Sequence, residues 1–166
     1  VISDSGPDTV EMRLDKEIEK LPSDSAVAIL GWENSFLKKA LSALSEYEVA
    51  IDKNEIIIGK TRTLRKKHSV VLTGWNPENK DMAFVLIATD LDKALLGLGR
   101  KLPHYNKYSY LVFEGDEPEN VLKGRWPVLD SPMTAFLPDK DGKISRVEIG
   151  RLSKREKMTS SQISEP

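Results

Sequence analysis

The chain has no cysteine among its 166 residues. This absence excludes disulfides, thiolate nucleophiles and zinc sites with cysteine ligands. It does not identify the compartment, because cytosolic proteins and bacterial exported proteins can both lack cysteine. The fold therefore has to be stabilised by burial of apolar side chains, and a chain of this length can bury about two-thirds of its unfolded surface.

Long apolar runs and an excess of charge of one sign are also missing. No apolar run approaches the roughly 18 to 20 residues that span a bilayer, so the sequence predicts no transmembrane segment. The 25 Lys and Arg residues nearly balance the 26 Asp and Glu residues, which gives a formal net charge of -1. This balance does not point to nucleic acid as a partner.

Complete catalytic motifs are absent as well. The two histidines lie in different segments and no HExxH sequence is present, so metallopeptidase zinc chemistry lacks its ligands. No G-x-S-x-G nucleophile elbow occurs. The sequence GKT at Gly59 to Thr61 has Asn54 where a phosphate-binding loop has its first glycine. We therefore predict neither a cofactor nor a metal site.

Polar ends flank one predicted folded region. Residues 1–11 and 153–166 carry few core-forming side chains and predict flexible ends. Residues 12–152 predict a single domain, a size that one hydrophobic core can support. The chain begins with Val instead of Met, which favours a processed product or a piece of a longer protein.

Apolar runs alternate with segments of helical periodicity. The runs from Ala26 to Gly31, Ser69 to Trp75 and Met82 to Asp90 predict buried strands. Apolar residues at helical spacing follow the first and the third run. Because such alternation is typical of parallel βαβ units, we predict an α/β fold, a three-layer sandwich with a Rossmann-like or flavodoxin-like, mostly parallel sheet.

The pattern changes from Pro127 onward. Two alternating segments around Asp141 and Gly142 predict a C-terminal β-hairpin extension. The stretch Leu137 to Glu148 also aligns with an EF-hand calcium loop at Asp139, Asp141, Gly142, Ile144, Ser145 and Glu148. Leu137, however, stands where that loop has its first ligating Asp. We interpret it as a hairpin turn and leave weak calcium binding open.

Chemically versatile side chains are concentrated in LPHYNKYSYLVFEG, Leu102 to Gly115. Pro103 ends the preceding predicted helix, and the alternation that follows predicts a strand with its tyrosines on one face. A hydrogen-bonded structural network and a catalytic cluster both fit these residue types. The candidate ligand or contact residues in and near the segment are His104, Tyr105, Asn106, Glu114 and Asp90.

The three tryptophans are the other candidates. Trp32 and Trp75 each follow a glycine at the end of an apolar run. If those two strands are parallel, both side chains lie at the same edge of the sheet, where α/β folds place ligands. Together with Trp126 they form the predicted contact surface.

Two stretches resemble a known family. LPHYNKYSYLVFEG and the following NVLKGRWPVLDSPM, Asn120 to Met133, resemble a segment beyond the catalytic region in some large bacterial zinc peptidases related to membrane alanyl aminopeptidases. The resemblance is strongest from about Glu55 to Met133. It implies an accessory α/β domain of a multidomain, exported protein, and no catalytic residue of the family has a counterpart in this chain.

Two functions from different classes follow. The first is a non-catalytic accessory domain that serves packing, substrate presentation or docking, with other domains of the same polypeptide or a protein partner bound to it. The second is a small hydrolase or ligand-binding enzyme that uses a cleft at the C-terminal ends of the strands, where a pocket joining His104 to Asp90 or Glu114 is expected. A third possibility is polyanion binding by the basic segment from Lys60 to Lys67.

Overall fold

The computed structural model describes residues 10–127, 135, 137, 138 and 140–144. These residues form eight strands and two α-helices. In chain order they are β1 Val27–Leu30, α1 Leu37–Ala43, β2 Val49–Ile51, β3 Glu55–Ile58, β4 Thr61–Leu64, β5 His68–Asn76, β6 Asn79–Ala88, α2 Ala94–Lys101, β7 Tyr110–Glu114 and β8 Glu119–Gly124. Single 3₁₀ turns lie at Asp15–Glu17, Ser45–Tyr47, Arg65–Lys67 and Leu102–Tyr105.

The strands form two sheets. The main sheet has the order β1-β6-β5-β7-β8, in which only β1 and β6 are parallel neighbours. The small sheet has the order β2-β3-β4 and is antiparallel throughout. The predicted α/β fold, a three-layer sandwich with a Rossmann-like or flavodoxin-like parallel sheet, is therefore wrong: the described chain is mostly β, with a mixed main sheet.

Short connections are the physical reason for this difference. Pro77 and Glu78 alone join β5 to β6, and Asp52–Asn54 alone join β2 to β3. A parallel pair needs a crossover of a dozen or more residues, so both of these pairs must be antiparallel. Helix α1 leads into the small sheet instead of returning to a strand beside β1.

Apolar side chains cover both faces of the main sheet. On one face, Phe84, Leu86, Val70 and Tyr110 belong to a cluster that also contains residues of α1 and β3. On the other face, Val71, Leu111 and Phe113 pack with Leu98 of α2. The continuous apolar run in β6 thus reflects a strand buried on both sides.

Several predictions concern segments at the ends of the chain. Of the predicted flexible ends, residues 1–11 and 153–166, only Val10 and Glu11 lie within the described part. Where a β-hairpin is predicted, Pro138 and Ile144 form an antiparallel bridge and Gly142 has φ +75°. Asp139, Ser145 and Glu148, which the calcium alignment requires, lie outside the described residues. Within the described part, no helix combines the length and the apolar character needed to cross a membrane.

Candidate functional site

An open cleft of about 780 Å³ lies at one end of the main sheet. It is bordered by the C-terminal ends of α1 and β5 and by the beginning of β6. Residues just before β7 and just after β8 complete it, because these strand ends meet at the same end of an antiparallel sheet. The residues on which its chemistry depends are Tyr47, Thr73, Trp75, Lys80, Ser109 and Trp126.

One wall of the cleft is formed by the stacked rings of Tyr47 and Trp126. Trp126 lies between Tyr47, at a centroid distance of 4.8 Å, and Tyr110, at 4.6 Å. Its indole Nε1 donates a hydrogen bond of 2.7 Å to the carbonyl oxygen of Thr73. Burial raises the pKa of the Tyr110 phenol, so this ring remains neutral. Trp126 is thus held by two ring contacts and one hydrogen bond, while Tyr110 itself is buried and does not line the cleft.

Trp75 provides a second, exposed aromatic surface. It lies near the C-terminal end of β5 and is 60% exposed. Among the described residues nothing accepts a hydrogen bond from its indole N–H. A large aromatic side chain that is exposed and has a free donor can contact both an apolar group and a carbonyl oxygen of a ligand.

Two polar side chains of the cleft, the half-buried Thr73 and the buried Asn76, bond within the protein. Thr73 Oγ1 donates to the carbonyl oxygen of Ser109 (3.1 Å). The Asn76 side chain donates to Pro22 O (2.7 Å) and accepts from the Glu78 amide (3.0 Å). The titratable side chains in the described lining are Glu46, Tyr47 and Lys80, and neither histidine is among them. This arrangement fits a binding surface.

Trp32 lies at the opposite end of the sheet from Trp75. The two would share an edge only if β1 and β5 were parallel, whereas β1 is parallel to β6 and β6 is antiparallel to β5. Trp32 is 7% exposed, and its Nε1 has no hydrogen-bond partner among the described residues. The three tryptophans therefore do not form one surface, although Trp75 and Trp126 share the cleft.

Asp90 also lies at the end of the sheet that holds Trp32. Its carboxylate accepts two hydrogen bonds from the Arg65 guanidinium, from Nε at 2.9 Å and from Nη2 at 3.0 Å. That guanidinium lies 4.5 Å from the centre of the Trp32 ring. Asp90 is thus a structural ion-pair partner in this arrangement.

The tyrosine-rich stretch is divided between the two faces of the main sheet, so the prediction that its tyrosines share one face is wrong. Tyr110 is buried in the cluster with α1 and β3, whereas Tyr105 and Tyr108 pack on the face that α2 covers. The Tyr105 ring contacts Phe113 edge-on, with a centroid distance of 5.5 Å, and Tyr108 at 6.0 Å. His104 and Asn106 are exposed in the turn after α2, and Glu114 is exposed at the end of β7. None of these residues lines the cleft. Among the described residues, no group of three or more His, Asp or Glu side chains is placed to hold a metal ion.

Tyr47 and Lys80 are cleft residues that the sequence analysis did not identify. Tyr47 lies in the short turn after α1, where a tyrosine is not unusual. Trp126, on which it stacks, is far away in the sequence. Lys80 lies near the beginning of β6, in a stretch that is rich in charged and polar residues. No local pattern distinguishes either residue, since only the folded chain brings them to one place.

Comparison with protein-family models, with curated proteins and with solved structures gave no match. The resemblance to accessory domains of zinc peptidases therefore stays a prediction. The class that the structure defines is a mixed β-sheet protein with an aromatic cleft at one end of its main sheet.

Proposed function

We propose that this chain is a non-catalytic binding unit that docks an extended segment of a protein partner in the aromatic cleft. The partner segment belongs to another domain of the same polypeptide or to a separate protein, in keeping with the resemblance to peptidase accessory domains. The observation that carries the proposal is Trp75, an indole that is 60% exposed in a cleft whose wall contains the stacked rings of Tyr47 and Trp126.

The chemistry of the cleft favours a proline-containing segment. Proline-rich chains adopt the polyproline II conformation with little loss of entropy, and they dock on aromatic grooves. The Trp75 indole N–H can donate to a backbone carbonyl of such a segment. Oligosaccharides need many oriented polar groups, whereas two polar side chains of the lining, Thr73 and Asn76, already bond within the protein.

A titration followed by NMR tests the proposal. The ¹⁵N-labelled chain has three indole N–H signals, one for each tryptophan. On addition of a synthetic polyproline peptide, we expect the Trp75 signal to shift and the Trp32 signal, from the other end of the sheet, to stay unchanged. A glycine-serine peptide of equal length controls for unspecific association.

Substitution of Trp75 gives the decisive comparison. We expect Trp75→Ala to weaken peptide binding at least about tenfold, because exposed tryptophans that become buried are typical binding hot spots. Leu96→Ala is the matched control, since Leu96 is 79% exposed on α2 and lies away from the cleft. Equal affinity of the two variants, or binding of a β-glucan oligosaccharide in place of the peptide, would contradict peptide docking.

A further inference from the structure

Strand β1 forms one edge of the main sheet, and no strand of the described chain pairs with its outer side. The amide of Gly31, just after β1, donates to Ile87 O of β6 at 2.9 Å. Because the N–H and C=O groups of successive strand residues point to opposite sides, Val27 and Ile29 also face β6. The backbone groups of Ala28 and Leu30 therefore point away from the sheet. The one contact that described residues make with them is a 3.4 Å hydrogen bond from Asn34 Nδ2 to Leu30 O.

This edge lacks the features with which edge strands avoid pairing. Its sequence, VAIL, contains no charge and no proline. The opposite edge of the same sheet, β8, carries Glu119 and Lys123 and has an irregular register with β7. The Asn120 side chain of β8 donates to Val112 O at 3.1 Å, within that irregularity. Charges and bulges of this kind prevent edge-to-edge association, so of the two edges formed by described residues β1 is the open one.

The side chains of this edge also leave apolar surface uncovered. Leu30 is 58% exposed, and Ala28 beside it on the same face is exposed too. Ile29, between them, points to the other face and is buried. A partner strand would therefore gain both backbone hydrogen bonds and contact with an exposed leucine.

We propose that β1 pairs with β1 of a second copy of the chain, antiparallel, about a two-fold axis at Ile29. In that register Ala28 lies opposite Leu30 of the other copy, and the reverse holds by symmetry. Residues with outward N–H and C=O groups thus face each other, and the two Ala28–Leu30 pairs exchange four hydrogen bonds. Each Leu30 side chain packs over a small alanine, so the strand is complementary to itself.

The expected dimer is weak. Pairing of two four-residue strands buries much less than the roughly 1,200 Å² of a stable interface. We therefore expect dissociation in the micromolar to millimolar range. The pairing joins two main sheets into one continuous sheet and does not depend on the aromatic cleft.

Sedimentation velocity over micromolar to millimolar protein concentration tests the proposal. We expect a concentration-dependent dimer in the unmodified chain and at least tenfold weaker association of Leu30→Lys, because a lysine on the strand is a typical guard against edge pairing. Leu96→Lys is the matched control: it removes another exposed leucine, on α2, and should leave the dimer unchanged. Thermal unfolding of both variants shows whether each one folds.

Hydrogen exchange identifies the strand that pairs. The amides of Ala28 and Leu30 should become more protected as the protein concentration rises. A monomer at every concentration would overturn the proposal, as would a dimer that Leu96→Lys disrupts and Leu30→Lys does not. Protection of the two amides that is already complete in the monomer would also overturn it, since the edge would then be covered within one chain.

Discussion

At the residue scale, the two glycines of α2 show how close packing depends on a single missing atom. A Cβ at Gly97 would lie 2.5 Å from Pro118 Cδ, whereas a Cβ at Gly99 would meet nothing within 4 Å. Pro118 cannot easily move, because it is buried and its carbonyl oxygen accepts a hydrogen bond from Lys101 Nζ at 2.5 Å. Gly97 therefore allows α2 to approach the turn before β8.

Alanine at these two positions should have opposite effects. We expect Gly97→Ala to lower the free energy of unfolding by about 1–3 kcal/mol through overpacking. Gly99→Ala should raise it by about 0.5–1 kcal/mol, because alanine has the higher helix propensity and finds free space there. Urea unfolding of the two variants measures both changes. If Gly97→Ala proved as stable as Gly99→Ala, the contact with Pro118 would not restrict α2.

The candidate residues of the cleft were only partly predictable at this scale. A tryptophan at the end of an apolar run is a visible signal, and it pointed to Trp32 and Trp75. Of these two, Trp75 lines the cleft, beside the third candidate, Trp126. Nothing in the sequence indicated that Trp126 would stack on Tyr47 or that its Nε1 would bond Thr73 O. Such contacts join residues that are distant in the chain, and local patterns do not report them.

At the element scale, strands were easier to predict than their directions. The runs from Ala26 to Gly31 and from Ser69 to Trp75 correspond closely to β1 and β5. The apolar content of β5 reflects burial, whereas β1 is an edge strand in which Ala28 and Leu30 are exposed, so its prediction as a buried strand is wrong. Apolar content also does not specify which neighbour a strand takes or in which direction. The lengths of the connections carried that information: the Pro77-Glu78 link requires β5 and β6 to be antiparallel.

The β2–β3 connection should make stability depend on pH. Asp52 Oδ1 accepts hydrogen bonds from the amides of Asn54 (2.7 Å) and Glu55 (2.8 Å). These bonds to the backbone lower the pKa of Asp52 below its ordinary 3.8. The unfolded chain therefore takes up this proton at a higher pH than the folded chain. The stabilisation is complete above pH about 3.8 and is lost as the pH falls through the lowered pKa.

Asp52→Asn removes the carboxylate charge and keeps the hydrogen-bond acceptor of the turn. Asparagine can still accept both amides, so the hairpin should form, but the fall in stability below pH about 3.8 should become shallower. Urea unfolding at several pH values between 3 and 7 measures this slope. Asp24→Asn, which removes an exposed carboxylate bonded to the Ser25 hydroxyl, controls for the loss of one charge. Identical slopes for Asp52→Asn and the unmodified chain would show that the turn does not discriminate between the charged and neutral forms.

At the scale of the whole molecule, the two sheets meet at Arg65. It lies in the 3₁₀ turn between β4 of the small sheet and β5 of the main sheet, and its amide donates to Asn54 O at 2.8 Å. Its guanidinium bonds both oxygens of Asp90 and covers the Trp32 ring. One side chain thus connects the small sheet to the segments that follow β1 and β6. The sequence showed this residue only as one cation in a basic run, because its partners come from three separate segments.

Arg65→Lys should weaken this connection more than a surface substitution of the same kind. Lysine cannot form the bidentate hydrogen bonds to Asp90, and it stacks less well on Trp32. We therefore expect the free energy of unfolding to fall by about 1–2 kcal/mol. Arg62→Lys is the matched control: Arg62 also pairs with a carboxylate, Glu55, but its side chain is 67% exposed against 16% for Arg65. The free energy of unfolding of Arg62→Lys should change by no more than about 0.5 kcal/mol. Urea unfolding compares the two variants, and equal effects would mean that the Arg65 contact contributes no more than an exposed ion pair.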